Sequence, residues 1–479
     1  MDMSLQKRVG PRPLAVLVTA LACAVCCMVL ADVSTAAVPK GLNCVASDGK
    51  INGRGSTFQK KLQAGLAELY RDDFCGNTPK VPEDPAGNTM VAYNYAAAEG
   101  ASGTGSGQGV KAASCRTDAF SGTDIPYSTT QLKELDEAPG KTGGCGITFT
   151  PPFQPNEPKE WPYTASGKKD TTANVMSVPV AGSSVTVDVN LTAANCGGTA
   201  PTELNFTARE VSRLFGGEVK KWNDSELEGT DPVLKNCNTN VTRVVRFDES
   251  GTSTIFKSYL IRADNERSGA ACAPGKKWEA YFAKNNEWPG KQSPGAEGEC
   301  SAITTAGVSG GPALITKLKE TEGGVGYADL ADAIGKGVLL ANVQNSTATS
   351  FQPPNTGSGA NCDYKTLTLP GATASDAVGL NGEGDTWANN QETNHGNATD
   401  VGSKYPICGL TWDLVYTGLS SSAGENPISR LTADQRRTEY SYFTFLLSST
   451  AQEALTSINY AALPSAWLPK LKTGFQSNF

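Results

Sequence analysis

Four short stretches of the sequence combine glycines, hydroxyl side chains and charged groups in the way that binding of a small anion requires. They are GRGSTF (53–58), GTGSGQGVK (103–111), SGTDIPYS (121–128) and VVRFDESGTS (244–253). Three of them run into predicted helices, and the unpaired N–H groups at a helix start favour a phosphate, a sulfate or a carboxylate. Arg246 can add a two-pronged hydrogen-bonded contact to such an anion.

Each residue of these stretches also has a purely structural explanation. Ser250 to Thr252 precede a predicted helix, from Ser253 to Arg262, and Ser or Thr in that place usually serves only as an N-cap. Taken singly, Ser106 is more often a turn residue, Asp124 a cap and Phe58 a core residue. It is their joint occurrence that favours an anion site.

The composition excludes several classes of function. The chain has 479 residues and one histidine, His395, within the polar stretch NNQETNHGNATD. A Ser-His-Asp triad needs a positioned histidine and histidine-rich metal sites need several, so we predict a protein without catalysis, metal or cofactor. The formal net charge is −7, and the absence of a basic tract interleaved with aromatic residues argues against a nucleic-acid partner. The acidic excess would repel an anion at long range, so affinity must come from local hydrogen bonds.

Residues 1–37 have the pattern of a signal peptide. Lys7, Arg8 and Arg12 precede an apolar run from Leu14 to Ala31, and small residues follow at 34–37. Neither LAC nor AVC within the run makes a good lipobox, so lipidation is not favoured. No later stretch is long and apolar enough to span a bilayer. We therefore expect an exported, soluble protein of the periplasm, the extracellular space or the cell surface.

Ten cysteines follow the signal peptide, and an even number in an exported chain predicts disulfides. None of the ten forms a CxxC pair, which argues against a zinc site. The sequence leaves the connectivity open. The simplest pattern joins neighbours along the chain: 44–75, 115–145, 196–237, 272–300 and 362–408.

The order of predicted elements indicates an α/β protein. Strand, glycine-rich turn and helix recur in the first third of the chain, which is typical of a parallel sheet. More than 400 residues follow the signal peptide, too many for one core, so we expect two or more lobes. The predicted elements include helices at 57–71 and 432–455, strands at 174–190 and 405–417, a turn and strand at 323–333, and inserted loops at 136–172, 264–312 and 345–400.

Together the four anion-site stretches resemble the phosphate-binding proteins of ABC-type phosphate uptake, which are class II periplasmic solute-binding proteins. Four scaffold segments agree with the family in type and order: GGEVKKWND (216–224), GGVGYADLADA (323–333), YPICGLTW (405–412) and INYAALP (458–464). Each motif alone is weak. Eight in the family's order, spanning nearly the whole mature chain, make the resemblance specific.

The resemblance implies an α/β fold of two lobes, with the ligand cleft between them and two crossing strands that join them. Lobe I would comprise residues 38–180 and 407–479. Lobe II would comprise residues 181–406, including the disulfide-bearing and Asn/Gly-rich insertions. The lobes would close on the ligand by a hinge motion of the crossing strands, near 179–182 and 406–409.

The resemblance also implies a set of phosphate-binding residues. The Thr57 hydroxyl, the Phe58 backbone N–H and Ser106 would donate to phosphate oxygens, and Asp124 would accept from a protonated oxygen. The second lobe would supply Arg246, Ser250, Gly251 and Thr252, with Asp248 supporting Arg246 through a salt bridge. An ionised carboxylate is only an acceptor, so Asp124 would hold hydrogen phosphate and repel sulfate, which has no proton to give.

The implied function is capture of inorganic phosphate by an exported monomer that passes it to the permease subunits of an ABC transporter. Three alternatives remain: an extracellular phosphatase, an adhesion or sensing protein on the same fold, and a binder of another oxyanion or an organic phosphate. The chain departs from the family in its insertions, its five predicted disulfides and Arg54. Arg54 would add an anion contact if it points into the cleft and would be merely solvated if it points outward.

Overall fold

The computed structural model describes residues 50–74, 91–94, 105–115, 118–127, 132, 175–264, 288, 306–345, 350–357, 359–365, 367–380, 402–417 and 433–479. The predicted signal peptide, His395, the insertion at 136–172 and parts of those at 264–312 and 345–400 lie outside the described residues. The predicted cysteine pairs 44–75 and 272–300 also lie outside them, as does Cys145 of the predicted pair 115–145.

The described residues form strands and helices that alternate through much of the chain. The strands are β1 (Ile51–Gly55), β2 (Val91–Asn94), β3 (Phe120–Thr123), β4 (Val175–Asn190), β5 (Asn205–Phe206), β6 (Thr242–Arg246), β7 (Ala306–Val308), β8 (Gly324–Asp329), β9 (Leu339–Leu340), β10 (Asn342–Gln344), β11 (Phe351–Gln352), β12 (Asn355–Thr356), β13 (Gly359–Ala360) and β14 (Cys408–Tyr416). The α-helices are α1 (Lys60–Phe74), α2 (Ser106–Cys115), α3 (Ala208–Phe215), α4 (Ser225–Glu228), α5 (Gly251–Asp264), α6 (Gly311–Lys319), α7 (Leu330–Ala333), α8 (Ala374–Ala377), α9 (Ala433–Leu446), α10 (Ser449–Ala454) and α11 (Leu468–Asn478). Single 3-10 segments lie at Thr57–Gln59, Pro232–Asn236 and Leu455–Ile458.

The largest sheet has the strand order β2-β1-β3-β14-β4-β8-β6-β7, with β9 added beside β4. At one end β1 runs parallel to β2 and β3, and at the other β6 runs parallel to β7 and β8. Antiparallel pairs in the middle, β3–β14, β14–β4 and β4–β8, connect the two parallel parts. We call the part around β1, β2, β3 and β14 the lobe I side, and the part around β6, β7 and β8 the lobe II side.

Strand β4 belongs to both sides. Its first part, Val175 to Ser184, pairs with β14, and its last part, Val185 to Asn190, pairs with β8. Every residue of this strand except Asn190 is buried. The structure thus has the α/β architecture and the two central connecting strands that the sequence predicted, whereas the exact lobe boundaries stay a prediction.

The pairing of β4 with β14 contains one irregularity. Thr411 lies opposite Ala181, but the next residue of β14, Trp412, lies opposite Pro179, so Val180 is an extra residue on β4. This is a β-bulge, and a proline within a sheet is normally confined to such a place or to an edge because it has no N–H to donate. The bulge falls within the stretch 179–182 where the hinge was predicted.

Three predicted elements differ in detail from the structure. The helix predicted at 57–71 begins as a 3-10 turn and continues as α1 to Phe74. The stretch predicted as one helix at 432–455 forms two, because the Ser448 side chain accepts from the Ala451 N–H and starts α10 anew. The turn and strand predicted at 323–333 ends in the short helix α7, whose N-cap is Asp329.

Aromatic side chains fill the core on both sides of the sheet. On the lobe I side the rings of Phe120 and Phe443 meet edge to face, with centroids 5.4 Å apart. On the lobe II side the rings of Phe256 and Tyr327 stack at 4.6 Å. The Tyr327 hydroxyl accepts from the Arg246 N–H at 3.3 Å and lies 2.6 Å from Ser253 Oγ. Core packing therefore fixes the backbone that carries Arg246.

Two of the predicted disulfides lie within the described residues, and both are confirmed. Cys196 is bonded to Cys237, and Cys362 is bonded to Cys408. The second ties the segment after β13 to the first residue of β14, one of the two connecting strands. A cross-link of this span restricts the unfolded chain more than the folded one.

Removing the Cys362–Cys408 disulfide with the double substitution to serine should lower the free energy of unfolding by about 2–4 kcal/mol. Equilibrium urea unfolding of the mature protein measures this. The matched control is the same double substitution at Cys196 and Cys237, whose sequence separation of 41 residues is close to the 46 of the first pair. An unchanged unfolding midpoint for the Cys362/Cys408 variant would contradict a stabilising role.

Candidate anion-binding site

The anion-site residues of the lobe I side lie at the carboxyl ends of neighbouring parallel strands. Thr57 and Phe58 follow β1, and Asp124 directly follows β3, which pairs with β1 through Gly55 and Gly122. Ser106 is the first residue of α2. Because the carboxyl ends of parallel strands meet at one sheet edge, the local turns bring these residues together. Loops and helix starts at this edge are the usual position of ligand sites in open α/β sheets.

Asp124 is buried and held by three hydroxyl groups. Ser56 Oγ donates to Asp124 Oδ2 at 2.5 Å, Thr411 Oγ1 donates to Oδ1 at 2.7 Å, and Ser106 Oγ donates to Oδ2 at 3.2 Å. The Asp124 backbone N–H in turn donates to Ser106 Oγ at 3.0 Å. Burial raises the pKa of Asp124 to about 6, although the three hydroxyl bonds and the charge of Arg246 oppose the shift.

A second layer of polar side chains sets the direction of the Thr411 hydroxyl. Gln59 Nε2 donates to Thr411 Oγ1 at 2.7 Å and to the Trp412 carbonyl at 2.8 Å. An amide N–H2 only donates, so the Thr411 proton is left to point at an acceptor. Asp124 Oδ1 is such an acceptor at 2.7 Å. The arrangement therefore favours an ionised Asp124 that accepts hydrogen bonds.

Behind Gln59 lies a second buried carboxylate. Gln63 Nε2 donates to Gln59 Oε1 at 3.0 Å and to Asp413 Oδ2 at 2.9 Å, and Tyr442 donates to Gln63 Oε1 at 2.6 Å. Burial raises the pKa of Asp413 to about 7. The amide contacts oppose this rise, and the charge of Asp124 adds to it. The network connects Asp124 with the core of the lobe I side.

Arg246, the last residue of β6, brings a positive charge from the lobe II side. Its Nε donates to Asp248 Oδ1 at 2.6 Å and its Nη2 donates to the other oxygen of the same carboxylate. Its Nη1 donates to Thr57 Oγ1 at 3.3 Å, across from the lobe I side. Burial lowers the pKa of Arg246, but the attraction of Asp248 outweighs it and the net shift is upward. The guanidinium is thus a fixed cation.

The start of α5 completes the constellation. Ser250 Oγ accepts from the Ser253 N–H at 3.2 Å, so the capping explanation of this serine holds in the structure. Gly251 packs on the lobe I residues: a Cβ added there would lie 2.7 Å from Asp124 Oδ2 and against Ser106 Oγ. Only a residue without a side chain fits this approach. Thr252 is buried beside it.

Further contacts join the two sides around this centre. The Gly107 N–H donates to the Glu249 carbonyl at 3.1 Å, and the Gly311 N–H donates to Thr57 Oγ1 at 3.4 Å. Thr57 Oγ1 accepts from both Arg246 and Gly311, so its own proton can be donated to another group. The structure therefore brings all of the predicted site residues to one region where the lobe I and lobe II sides meet.

The structure gives Phe58 a contact that the sequence did not predict and decides between the two alternatives for Arg54. The Phe58 N–H donates to Ser56 Oγ at 3.0 Å, so Ser56 caps the turn that was assigned to an anion. Arg54 points outward. Its side chain is 44% exposed and its Nε lies 3.1 Å from Asp118 Oδ2, which fits the solvated alternative rather than a ligand contact.

Ser56, Thr411, Gln59 and Asp413 were missed by sequence reasoning. Ser56 lies within GRGSTF and had the usual signal of an N-cap. Gln59 and Gln63 are polar residues on the buried side of a helix start, and Asp413 interrupts an apolar strand. Buried polar side chains in apolar segments need partners, and that requirement was the available signal.

The site combines one fixed cation, one acceptor carboxylate, several hydroxyls and the starts of α2 and α5. This set contains the kinds of group that a tetrahedral oxyanion carrying a proton requires, because N–H and O–H groups can donate to its oxygens and Asp124 can accept its proton. Within the described residues no group of three or more His, Cys, Asp or Glu side chains could hold a metal ion. Among the same residues, no helix has both the length and the apolar character needed to cross a membrane.

Comparison with known proteins gives concordant results. A sequence model of the PBP superfamily domain matches residues 162–389. The phosphate-binding protein PstS of Haemophilus influenzae is 26% identical over 155 residues, 32% of this chain and 40% of that protein. Phosphate-binding protein PstS of Xylella fastidiosa is 22% identical over 283 residues, 58% of this chain and 62% of that protein. The chain is thus matched to less than two thirds of the length of either relative.

Solved structures resemble the fold over more of the chain. A phosphate-binding protein from Stenotrophomonas maltophilia superposes with a TM-score of 0.55 and 17% identity, covering 90% of this chain and 95% of the other. PfluDING, a high affinity periplasmic phosphate-binding protein solved with bound phosphate, superposes with a TM-score of 0.51 and 16% identity, covering 88% and 93%. The resemblance drawn from the motifs is thereby confirmed at the level of the fold: residues 162–389 match the model of the PBP superfamily domain, and the chain has the two-lobed α/β fold of the periplasmic phosphate-binding proteins.

Proposed function

We propose that the protein binds inorganic phosphate outside the cytoplasm and delivers it to the permease subunits of an ABC transporter. The observation that carries the proposal is that the Arg246 guanidinium and the acceptor carboxylate of Asp124 lie in the same buried region. The names of the matched relatives and the phosphate bound to PfluDING support the same ligand. The proposed binding residues are Thr57, Phe58, Ser106, Asp124, Arg246, Ser250, Gly251 and Thr252, with Asp248 supporting Arg246.

Recognition in this proposal depends on the ligand proton. Hydrogen phosphate can donate to Asp124, whereas sulfate at neutral pH would face the carboxylate with oxygen against oxygen. Hydrogen bonds that involve a charged group contribute about 1.5–3 kcal/mol each, so several of them can offset desolvation of the anion. Arg246 supplies a buried positive charge at the site.

Closure of two lobes is the proposed switch. Arg246 and Gly311 of the lobe II side contact Thr57, and Glu249 contacts Gly107, so both sides are engaged with each other around the site. Opening would break these contacts and expose the residues of each side to solvent. We place the lobe boundaries at 38–180 with 407–479, and at 181–406, with the hinge in the β4–β14 pair.

The proposal includes binding without catalysis by an exported monomer. In the described site, the hydroxyls of Ser56, Ser106 and Thr411 are all directed to Asp124. Among the residues that the structure describes, no histidine is present to activate any of the three. Incubation with a chromogenic phosphate ester should release no phosphate above the buffer rate.

The deciding experiment is calorimetry on the disulfide-intact mature protein, stripped of ligand by unfolding and refolding. We expect one phosphate to bind per chain and sulfate to give no heat. Folding of the sample is checked by circular dichroism before titration. A folded sample that binds no phosphate would overturn the proposed function, and one that binds both anions equally would overturn the role of Asp124.

Gly251 provides a separate test of the site geometry. Alanine at this position should lower phosphate affinity, because the added Cβ would meet Asp124 and Ser106 when the two sides come together. Overpacking of this kind costs about 1–3 kcal/mol, which corresponds to roughly a 5- to 150-fold weaker dissociation constant. Calorimetric titration measures it.

The matched control for Gly251→Ala is Gly229→Ala. Gly229 lies just after α4, has φ of −65°, and an added Cβ would have only the Glu226 carbonyl within 4 Å, at 3.8 Å. We expect this variant to bind phosphate like the unmodified protein. Equal affinities for the two variants would show that α5 does not approach Asp124 in the bound protein.

A further inference from the structure

A cavity lined by lysines opens between the lobe I and lobe II sides, outside the phosphate site. Its volume is about 230 Å³. Lys60 and Lys61 line it from α1, Lys319 from α6 and Lys336 from the turn after α7, with Asp332 and Pro312 between them. Four lysine residues thus line one cavity in a chain whose net charge is −7.

Two of these lysines lie one turn into the helical segment that Ser56 caps. Lys60 and Lys61 are the first residues of α1, which continues the 3-10 turn Thr57–Gln59. The start of α6 points to the same place: its N-cap, Gly310, makes no side-chain capping bond, and Pro312 lines the cavity.

Lys336 is presented by a turn of special geometry. Gly335 and Gly337 on either side of it have φ of 71° and 79°, in the left-handed region that favours glycine. An added Cβ at either glycine would meet nothing within 4 Å, so backbone conformation rather than crowding requires the small residue. Lys336 and Lys319 are both exposed to solvent at the cavity.

Asp332 adds a buried carboxyl group beside these lysines. It is 4% exposed, and its Oδ2 has no hydrogen-bond partner of ordinary geometry among the described residues. Its backbone N–H donates to Asp329 Oδ1 at 2.9 Å. Burial raises the pKa of Asp332 to about 6, although the charge of Lys61 and an interaction with the Asp329 carboxyl group oppose the shift. An acceptor among ammonium groups matches an anion that carries a proton.

The cavity adjoins the phosphate site at α6. Gly311, whose N–H donates to Thr57 Oγ1 at 3.4 Å, packs directly on Asp332 Oδ2. Lys61 also spans the two sides, because its Nζ donates to the Ala331 carbonyl of α7. A ligand in the cavity would therefore lie beside the Thr57 edge of the site, at the seam that opens when the lobes separate.

We propose that this cavity is an outer binding site for phosphate, from which the anion passes to the site of Asp124 and Arg246. The inference rests on the proposed function. The net negative charge of the chain repels an anion at long range. A local positive potential at a cleft opposes this repulsion and can raise association rates by about 10- to 1000-fold. The ligand class is a hydrogen phosphate dianion, held by ammonium groups and by one acceptor carboxylate.

The test is the association rate of radiolabelled inorganic phosphate, measured by rapid filtration on the full mature chain. Lys319→Gln with Lys336→Gln should lower the rate at least about threefold at low ionic strength. The difference should vanish in molar salt, where the Debye length falls to about 3 Å. The dissociation rate should stay unchanged, since neither lysine contacts the inner site.

The matched control is Lys220→Gln with Lys235→Gln, two exposed lysines that do not line the cavity. It changes the net charge by the same amount, so a purely global effect would slow both variants equally and overturn the outer site. An unchanged rate for Lys319→Gln with Lys336→Gln, in a protein that binds phosphate, would also overturn it while leaving the proposed function intact. A folded protein that binds no phosphate would overturn both.

Discussion

Substituting Arg246 with methionine should lower phosphate affinity by roughly 30-fold to several thousandfold. The side chain is buried and is the cation within hydrogen-bond reach of Asp248 and Thr57 at the site. Truncating one partner of a buried, hydrogen-bonded charge pair costs about 2–5 kcal/mol, and every 1.4 kcal/mol is about tenfold in affinity. Calorimetric titration with phosphate measures the loss.

Part of any effect of Arg246→Met would come from the buried Asp248 carboxylate left without its partner. The double variant Arg246→Met with Asp248→Asn removes that charge and should recover thermal stability without recovering affinity. Arg54→Met is the control variant. The Arg54 side chain is 44% exposed and pairs with Asp118 rather than with a residue of the site, so this substitution should leave binding unchanged. Affinity retained in Arg246→Met would remove Arg246 from the site.

Asp124→Asn should let sulfate bind and lower the phosphate-over-sulfate ratio by roughly 10- to 150-fold. The estimate follows from the loss of one charge-assisted hydrogen bond of about 1.5–3 kcal/mol. Asparagine has nearly the shape of aspartate, but its amide can donate to an oxyanion that has no proton. Competition of sulfate against radiolabelled phosphate measures the ratio. An unchanged ratio would mean that another group excludes sulfate.

The same carboxylate predicts a dependence on pH. Its pKa is raised to about 6, so Asp124 is an ionised acceptor above that pH and becomes a neutral donor as the pH falls through it. Sulfate should therefore begin to compete below about pH 6 in the unmodified protein, and its competition in Asp124→Asn should not follow that titration. Because the folded-state pKa lies above the usual 3.8, the contribution of Asp124 to folding stability declines as the pH rises through 6.

The sequence predicted well those parts of the molecule that depend on local order along the chain. Glycine-rich turns before helices, such as the one at Ser106, can be recognised from a few consecutive residues. The two disulfides within the described residues each join cysteines that follow one another along the chain, which is the simplest connectivity. Strands β4 and β14 were predicted as well, because they are long and largely apolar, whereas their role in joining the lobes was implied by the family resemblance.

The sequence did not predict the partners that lie far apart along the chain. Thr411 donates to Asp124 across 287 positions, and Gln63 donates to Asp413 across 350. The spacing of apolar and polar residues along the chain does not indicate such long-range contacts. Ser56 was missed for another reason: a cap and a ligand residue share the same local pattern. In the sequence, lysines such as Lys319 and Lys336 have the pattern of ordinary solvated side chains. Only the fold shows that they line one cavity.

The bulge in the β4–β14 pair has a consequence for when the protein can discriminate between anions. Thr411 is the last residue paired before the register changes, and the same residue donates to Asp124 Oδ1. Under the proposed hinge motion, a change of bend at the bulge shifts Thr411 relative to Asp124. The open chain would then lack both the Arg246 side and one of the three hydroxyls that hold Asp124, so phosphate and sulfate would be admitted at similar rates. Rejection of sulfate would occur after closure, through faster departure of the wrong anion rather than slower arrival.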